Sequence, residues 1–194
     1  GGIRGHKKNM VTKFYPRSHN MGVKKILFNE VGGFGSLRHG QDIELSNKIY
    51  NSGAKVELLI DAVVYHRRRT SLKKFFRQVY NWGVARINLG KIDKNMLKII
   101  HFIPAIFLIL SLSLLLGTFI IPRLFIPIIL FGLLSLSSIC VFGGYKNKSI
   151  LISLLLFLVI PLQIFGYGLG FLIAFFKRYI LKKSEYVVFE KKYY

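Results

Sequence analysis

Residues 99–121, IIHFIPAIFLILSLSLLLGTFII, decide the fold of the second half of the chain. The stretch contains no Lys, Arg, Asp or Glu, and no polar face repeats along it. A helix needs about 20 apolar residues to cross the roughly 30 Å hydrocarbon core of a bilayer. We therefore predict a membrane helix here, and not a buried helix of a soluble bundle.

Two further stretches of the same kind follow, at 124–142 and 150–176. A tight Pro-Arg turn separates the first two predicted helices, and the basic loop 143–149 separates the last two. Prolines inside such helices are tolerated where neighbouring helices cover the freed backbone groups. The sequence thus predicts an all-α transmembrane region over residues 93–180, followed by a basic tail over 181–194.

Charge is concentrated ahead of these helices. The protein has 194 residues, with 29 Lys+Arg against 8 Asp+Glu and a net charge of +21. Nucleic acid, an anionic membrane surface or phosphorylated substrates commonly explain such an excess. Beside long apolar stretches the membrane explanation is favoured, and no nucleic-acid-binding motif is present. We expect membrane lipids as partners and no nucleic acid.

The same charges leave the membrane topology open. Lys and Arg near helix ends favour the cytoplasmic side, so the basic first part of the chain is expected there. Three crossings would place loop 143–149 inside as well, but would leave the basic tail outside, against this rule. Either one segment is re-entrant or interfacial, or the rule fails. The aromatic stretch FGYGLGFLIAFFKRYI at 165–180 suits the interface.

The stretch GQDIELSNKIYNSG at 40–53 places two carboxylates two positions apart in a chain with few acids. Asp42 and Glu44 begin a predicted helix over 42–51, and Gly53 is placed to end it. Helix capping and first-turn charge are the ordinary uses of such acids. A catalytic base is the alternative, since a base must be ionised and within about 3 Å of the hydroxyl it deprotonates.

The segment between this helix and the membrane region changes pattern. AKVELLIDAVVYH at 54–66 is rich in β-branched residues and predicts one or two strands. Thr70 or Ser71 can cap the next helix, whose apolar residues recur every three or four positions with basic residues opposite. This is a basic amphipathic helix, suited to the lipid headgroup layer or to the surface of a soluble core.

The order of these segments resembles a known family. NMGVKKILFNEVGGFGS at 20–36, followed by residues 40–83 from GQDIELSNK to VYNWG, resembles the C-terminal half of the catalytic domain of family 2 glycosyltransferases. The resemblance implies that residues 1–92 are an α/β fragment, a partial GT-A-like domain on the acceptor side. Members of this family often continue into C-terminal membrane helices.

The resemblance also implies roles for individual residues. Gly-Gln-Asp at 40–42 resembles the family's Glu-Asp motif, with Gln in place of Glu, and makes Asp42 the general base. Glu44 is then the second acid, which orients its neighbours. Gly33 and Phe34 resemble the family's Gly-Gly-Phe turn and would line the acceptor side. Packing and turn geometry are the ordinary alternative for both.

A second motif lies on the amphipathic helix. The sequence from Gln78 to Trp82 resembles the Gln-x-x-Arg-Trp motif of processive members, whose Arg contacts the diphosphate and whose Trp contacts the acceptor sugar. Asn81 replaces that Arg, and Arg77 or Arg86 is a candidate substitute. Gln78 and Trp82 are therefore predicted to bind the acceptor. An interfacial aromatic anchor is the alternative for Trp82.

A basic cluster precedes this helix. His66 resembles a position where related enzymes bind metal or diphosphate, and Arg67 and Arg69 are predicted to contact the diphosphate or anionic lipid. A surface histidine in a basic cluster is the alternative. An imidazole ligand suits Mn²⁺ better than Mg²⁺, which prefers oxygen.

The family's Asp-x-Asp metal motif is absent, because the sequence has aspartates at 42, 61 and 93 alone. We expect a divalent cation, Mg or Mn, to be bound mainly by a nucleotide-binding N-terminal half that this sequence lacks. No initiator Met or signal region opens the sequence. The chain is therefore interpreted as a fragment, inactive in isolation, with a separate N-terminal half as a candidate partner.

The expected function is that of an integral membrane, hexosyltransferase-like enzyme with its catalytic part on the cytoplasmic side. It would transfer a sugar from a nucleotide-sugar donor, with inversion, to a glycan or lipid-linked acceptor, as polysaccharide-building members do. The alternative is a non-catalytic, membrane-anchored basic module that binds anionic lipid or a partner protein.

Overall fold

The computed structural model describes residues 15–16, 18–59, 61–65 and 71–189. The chain forms two compact units, which divide between Arg68 and Arg69. Every regular element in the described ranges is helical, and no strand or sheet occurs in them. The functional boundary expected at residue 92 stays a prediction.

In its described residues, the first unit contains two short α-helices joined by a glycine-rich turn. Helix α1 is Lys25–Glu30 and helix α2 is Gln41–Asn51. Gly53 follows the end of α2 with a φ of +78°, and its N–H donates to the carbonyl of Tyr50. Glycine adopts this left-handed conformation without the steric cost of a Cβ. The predicted helix and its glycine stop are confirmed.

The predicted strands at 54–66 are wrong for the residues that the structure describes. Residues 54–59 and 62–65 have no regular structure, and Tyr65 is 99% exposed. Backbone hydrogen bonds within these residues are local, such as the one from the Ala62 N–H to the Leu59 carbonyl. A β-branched segment becomes a strand only when a neighbouring strand completes its hydrogen bonds. In the described residues up to 92, helix and loop therefore take the place of the α/β, GT-A-like fragment expected for residues 1–92.

Helix α3, Leu72–Ile92, opens the second unit. The Ser71 side-chain oxygen accepts a hydrogen bond from the Lys74 N–H at 3.3 Å, which confirms one of the two predicted caps. Residues 83–90 are buried except for the half-buried Arg86, whereas most of its first two turns is exposed. The helix is therefore amphipathic at its start and enclosed over residues 83–90.

Three apolar helices follow, and all are long and apolar enough to span a membrane. Helix α4 is Ile103–Ile120, α5 is Pro122–Lys146, and α6 is Ile150–Phe175. A 3-10 turn leads into α4, and a short π-helical turn over Phe176–Ile180 extends α6. The three predicted apolar helices are confirmed, each with bounds a few residues from those expected.

The core of the second unit lies where α3, the start of α4 and the end of α6 meet. Its buried members are Tyr80, Val84, Ile87, Ala105, Phe171 and Ala174. Glycines allow the helices to approach closely, because a Cβ on Gly83 would overlap the Tyr167 carbonyl oxygen of α6. A Cβ on Gly170 would likewise overlap the Tyr80 carbonyl oxygen of α3.

Candidate active-site residues

The turn between α1 and α2 has a backbone conformation that requires glycine. Gly32 and Gly33 have φ values of +73° and +58°. Gly33 is buried, and a Cβ there would lie 2.9 Å from ring atoms of Phe28. Phe28 in turn packs edge-to-face on Phe34, with ring centroids 5.6 Å apart. Phe34 is 45% exposed, so its ring offers a surface beside the turn.

Glu44 is the acid that supports this turn. It is only 6% exposed, and its Oε1 lies 3.4 Å from the Lys48 Nζ. The same ammonium donates to the Gly33 carbonyl at 3.4 Å. A Cβ on Gly35 would overlap the Glu44 carboxylate, so the turn packs directly against it. Glu44 therefore positions the turn, and its Oε2 has no hydrogen-bond donor among the described residues.

Asp42 has a different environment on the same helix. Its Oδ1 accepts a hydrogen bond from the Ile43 N–H at 2.9 Å, and its side chain is half-buried. The Ser46 hydroxyl donates to the Asp42 carbonyl at 2.7 Å. Residues two apart on a helix point to different sides, so Asp42 does not share the enclosure of Glu44. A carboxylate in the first turn also lies at the positive end of the helix dipole.

Gln78 and Trp82 lie one turn apart on α3 and so share one side of it. Gln78 is half-buried and Trp82 is 40% exposed, which leaves part of the indole face accessible. Arg86 follows one turn later on that side. Arg77 is a poorer substitute for the missing motif arginine, because its guanidinium lies over the Phe189 ring at 5.3 Å.

The other predicted site residues divide between the two units and the residues outside the described ranges. His66, Arg67 and Arg69 lie outside the described residues. Among the described residues, no group of three His, Cys, Asp or Glu side chains is close enough to hold a metal ion. Gly33, Phe34, Asp42 and Glu44 belong to the first unit, and Gln78 and Trp82 belong to the second.

Two residues that the sequence analysis did not select have clear structural roles. Lys48 joins Glu44 to the glycine turn, and its i+4 spacing from Glu44 was a usable signal. Asn88 is fully buried in α3, and its amide donates to the Tyr186 carbonyl at 2.9 Å. A polar residue within an apolar stretch was the signal there, but its partner is 98 residues away in sequence.

Three features fit a membrane-associated glycosyltransferase. They are the glycine turn that packs against an acid-bearing helix, the Gln78–Trp82 side of α3, and the three apolar helices. The chain belongs to glycosyl transferase family 21, whose model matches residues 15–188. No curated protein and no solved structure matches the chain. The predicted glycosyltransferase is thus confirmed in general terms, in family 21 where the motifs had suggested family 2.

Proposed function

We propose that this chain provides the acceptor side of an inverting, hexosyltransferase-like glycosyltransferase at a membrane. The donor is a nucleotide sugar, and the acceptor is a glycan or lipid-linked alcohol. The observation that carries the proposal is the family 21 match over residues 15–188, which includes the glycine turn, α2, α3 and all three apolar helices. An acceptor held in or near lipid suits a chain whose candidate acceptor helix is continuous with a membrane region.

In the proposed reaction, Asp42 takes the proton from the acceptor hydroxyl. The acceptor oxygen forms a bond to the anomeric carbon while the bond from that carbon to the diphosphate oxygen breaks. The electron pair of the broken bond leaves with the nucleoside diphosphate, and attack from the opposite face inverts the configuration. A positioned base contributes about 10²–10⁴-fold to such a step.

The other residues position the reactants. The exposed part of the Trp82 indole can stack on a sugar ring, and Gln78 can hydrogen-bond to its hydroxyls. Arg86 lies on their side of α3 and can contact the diphosphate in place of the absent motif arginine. Glu44 acts indirectly, since it supports the turn that carries Gly33 and Phe34.

The described residues do not fit a divalent cation, because no three ligating side chains lie together among them. We propose that Mg or Mn is held mainly by a nucleotide-binding half outside this sequence. When bound, such an ion neutralises charge on the diphosphate. That half is also the proposed protein partner of this chain.

Replacement of Asp42 by Asn in the full-length protein tests the assignment of the base. Membranes that contain the Asp42→Asn protein should lose at least about 100-fold in sugar transfer from a panel of labelled nucleotide sugars. Binding of the nucleotide sugar should be retained, because Asn keeps the shape of the side chain. The matched control is Asp61→Asn, at a loop position with an exposed side chain, which should transfer normally.

Full transfer by the Asp42→Asn protein would overturn the role of Asp42. Absence of transfer by the unaltered full-length protein with every donor would overturn the enzyme proposal itself. In that case the remaining interpretation is a basic, membrane-anchored module that binds anionic lipid or a partner protein.

A further inference from the structure

The start of α4 and the end of α6 lie together. The rings of Phe102 and Phe171 are 4.9 Å apart, and those of Phe107 and Phe165 are 6.3 Å apart. A Cβ on Gly168 would lie 2.6 Å from the carbonyl oxygen of Pro104. Residues at the start of α4 thus contact residues in the second half of α6. The chain enters the apolar region beside the place where it leaves it.

The tail beyond α6 returns to α3, the helix that precedes the region. Asn88 of α3 donates its amide to the Tyr186 carbonyl at 2.9 Å. The hydroxyls of Tyr80 and Tyr186 are 3.2 Å apart, and the Tyr80 ring packs edge-to-face on Phe189 at 5.3 Å. Helix α3 and the tail therefore lie on the same side of the apolar region.

A chain that enters and leaves on one side of a bilayer crosses it an even number of times. Three crossings by α4, α5 and α6 would separate α3 from the tail and break the contacts just described. We propose that α5 and α6 cross the bilayer, and that α4 lies within the apolar layer on the side of α3 without crossing it. This inference rests on contacts within the second unit and does not depend on the proposed reaction.

The lengths of the helices select α4 as the one that does not cross. The three helices touch in pairs near their ends, so that together they outline a triangle. The contacts at its corners are Pro104 with Gly168, Gly117 with Phe125, and Gly144 with Ser153. At 1.5 Å per residue, the distances between these contacts are about 20 Å along α4, about 29 Å along α5 and about 23 Å along α6. A triangle with these sides has an angle close to 90° between α4 and α6.

Helices α4 and α6 therefore cannot both stand along the membrane normal. The part of α6 from Ile150 to Gly168 matches the roughly 30 Å hydrocarbon core. With α6 upright, α4 lies flat at the level of Gly168, and α5 returns obliquely to the opposite surface. The whole apolar helix to Ile180 has 31 residues, so its last turns extend beyond the hydrocarbon to meet α3.

The basic residues fit this arrangement. The side of α3 carries most of them, and they are Lys73, Lys74, Arg77, Arg86, Lys91, Lys94, Lys98, Lys177, Arg178, Lys182 and Lys183. Arg123, at the turn between α4 and α5, falls on this side as well. The opposite side has Lys146 and Lys148. By the positive-inside rule the side of α3 is cytoplasmic, and the basic tail joins it without conflict.

Single-cysteine labelling tests the arrangement, because Cys140 is the one cysteine in the sequence. In a Cys140→Ala background, the reporters are Lys73→Cys, Arg123→Cys, Lys146→Cys and Ser184→Cys, all at exposed positions. Sealed inside-out vesicles are treated with a membrane-impermeant maleimide, before and after detergent. Cysteines 73, 123 and 184 should be labelled without detergent, and cysteine 146 only after it.

Two outcomes would overturn the proposal. Labelling of position 184 on the side opposite to position 73 means three crossings. Labelling of position 123 on the same side as position 146 means that α4 crosses and α5 does not. A glycosylation acceptor inserted after Ser184, or beside Lys146, gives an independent measure of sidedness if a cysteine variant fails to accumulate.

Discussion

The two ends of α6 both lack charged residues but differ in environment. From Gly166 onward the helix is enclosed by α3 and by the start of α4, and Phe171 is only 1% exposed. From Ile150 onward it is still more apolar, yet Leu158 is 53% exposed. Packing between helices stabilises the first end, whereas the second end is suited to contact lipid. Apolar composition alone therefore does not indicate which part of a helix packs against protein.

The largest expected effect is at the α3–α6 contact. Gly83→Leu would force its side chain into the Tyr167 backbone. Overpacking usually lowers the free energy of unfolding by about 1–3 kcal/mol, and we expect a larger loss here. Gly132→Leu is the matched control, because a Cβ at Gly132 of α5 meets no atom within 4 Å. Thermal unfolding of the detergent-solubilised protein measures both. Equal melting temperatures would show that the close contact is not required.

A charge on the exposed end of α6 should have the next largest effect. Leu158→Arg would place a guanidinium in the middle of the crossing segment, at a cost of about 2.5–3.5 kcal/mol to insertion. Leu181→Arg is the control, since that residue lies beyond α6 and should tolerate the charge. The fraction of protein that resists carbonate extraction from membranes reports insertion. Normal insertion of the Leu158→Arg protein would contradict a lipid-facing position.

Release of the tail from the enclosed end should cost less. Asn88→Leu leaves the Tyr186 carbonyl without its buried donor, a loss of about 1–3 kcal/mol. We expect faster trypsin cleavage after Lys182 and Lys183, both exposed, once the segment that follows them is released. Asn95→Leu, at an exposed position, should leave the cleavage rate unchanged. An unchanged rate for Asn88→Leu would mean that this amide does not hold the tail.

The smallest effect concerns pH. Burial, and next the hydrogen bond with Tyr186, raise the pKa of Tyr80 above its ordinary value. Because the folded state favours the neutral phenol, its contribution is complete below the unfolded pKa of about 10 and is lost as pH rises above it. As pH rises above about 10, trypsin should therefore release the tail faster from the unaltered protein than from the Tyr80→Phe protein. The same pH response in both proteins would exclude Tyr80 as its source.

The local elements could be predicted from sequence because their signals are local. The carboxylates at the start of α2, the serine before α3 and the three apolar runs each indicated a helix or its boundary. The segment 54–66 was misread because β-branched residues favour a strand only where a partner strand exists. At the candidate site, Asp42 and Glu44 were chosen for the same reason, their position in a first turn. Their different environments came from the glycine turn that packs on one of them.

The sequence by itself determined a basic chain with three apolar helices and an acid-bearing helix, since helix periodicity, capping and hydropathy are properties of neighbouring residues. The tertiary structure alone decided that Asn88 meets Tyr186, that glycines bring α3 against α6, and that the tail returns to α3. These contacts join residues far apart in the chain. They depend on shape and on backbone approach, which composition does not specify.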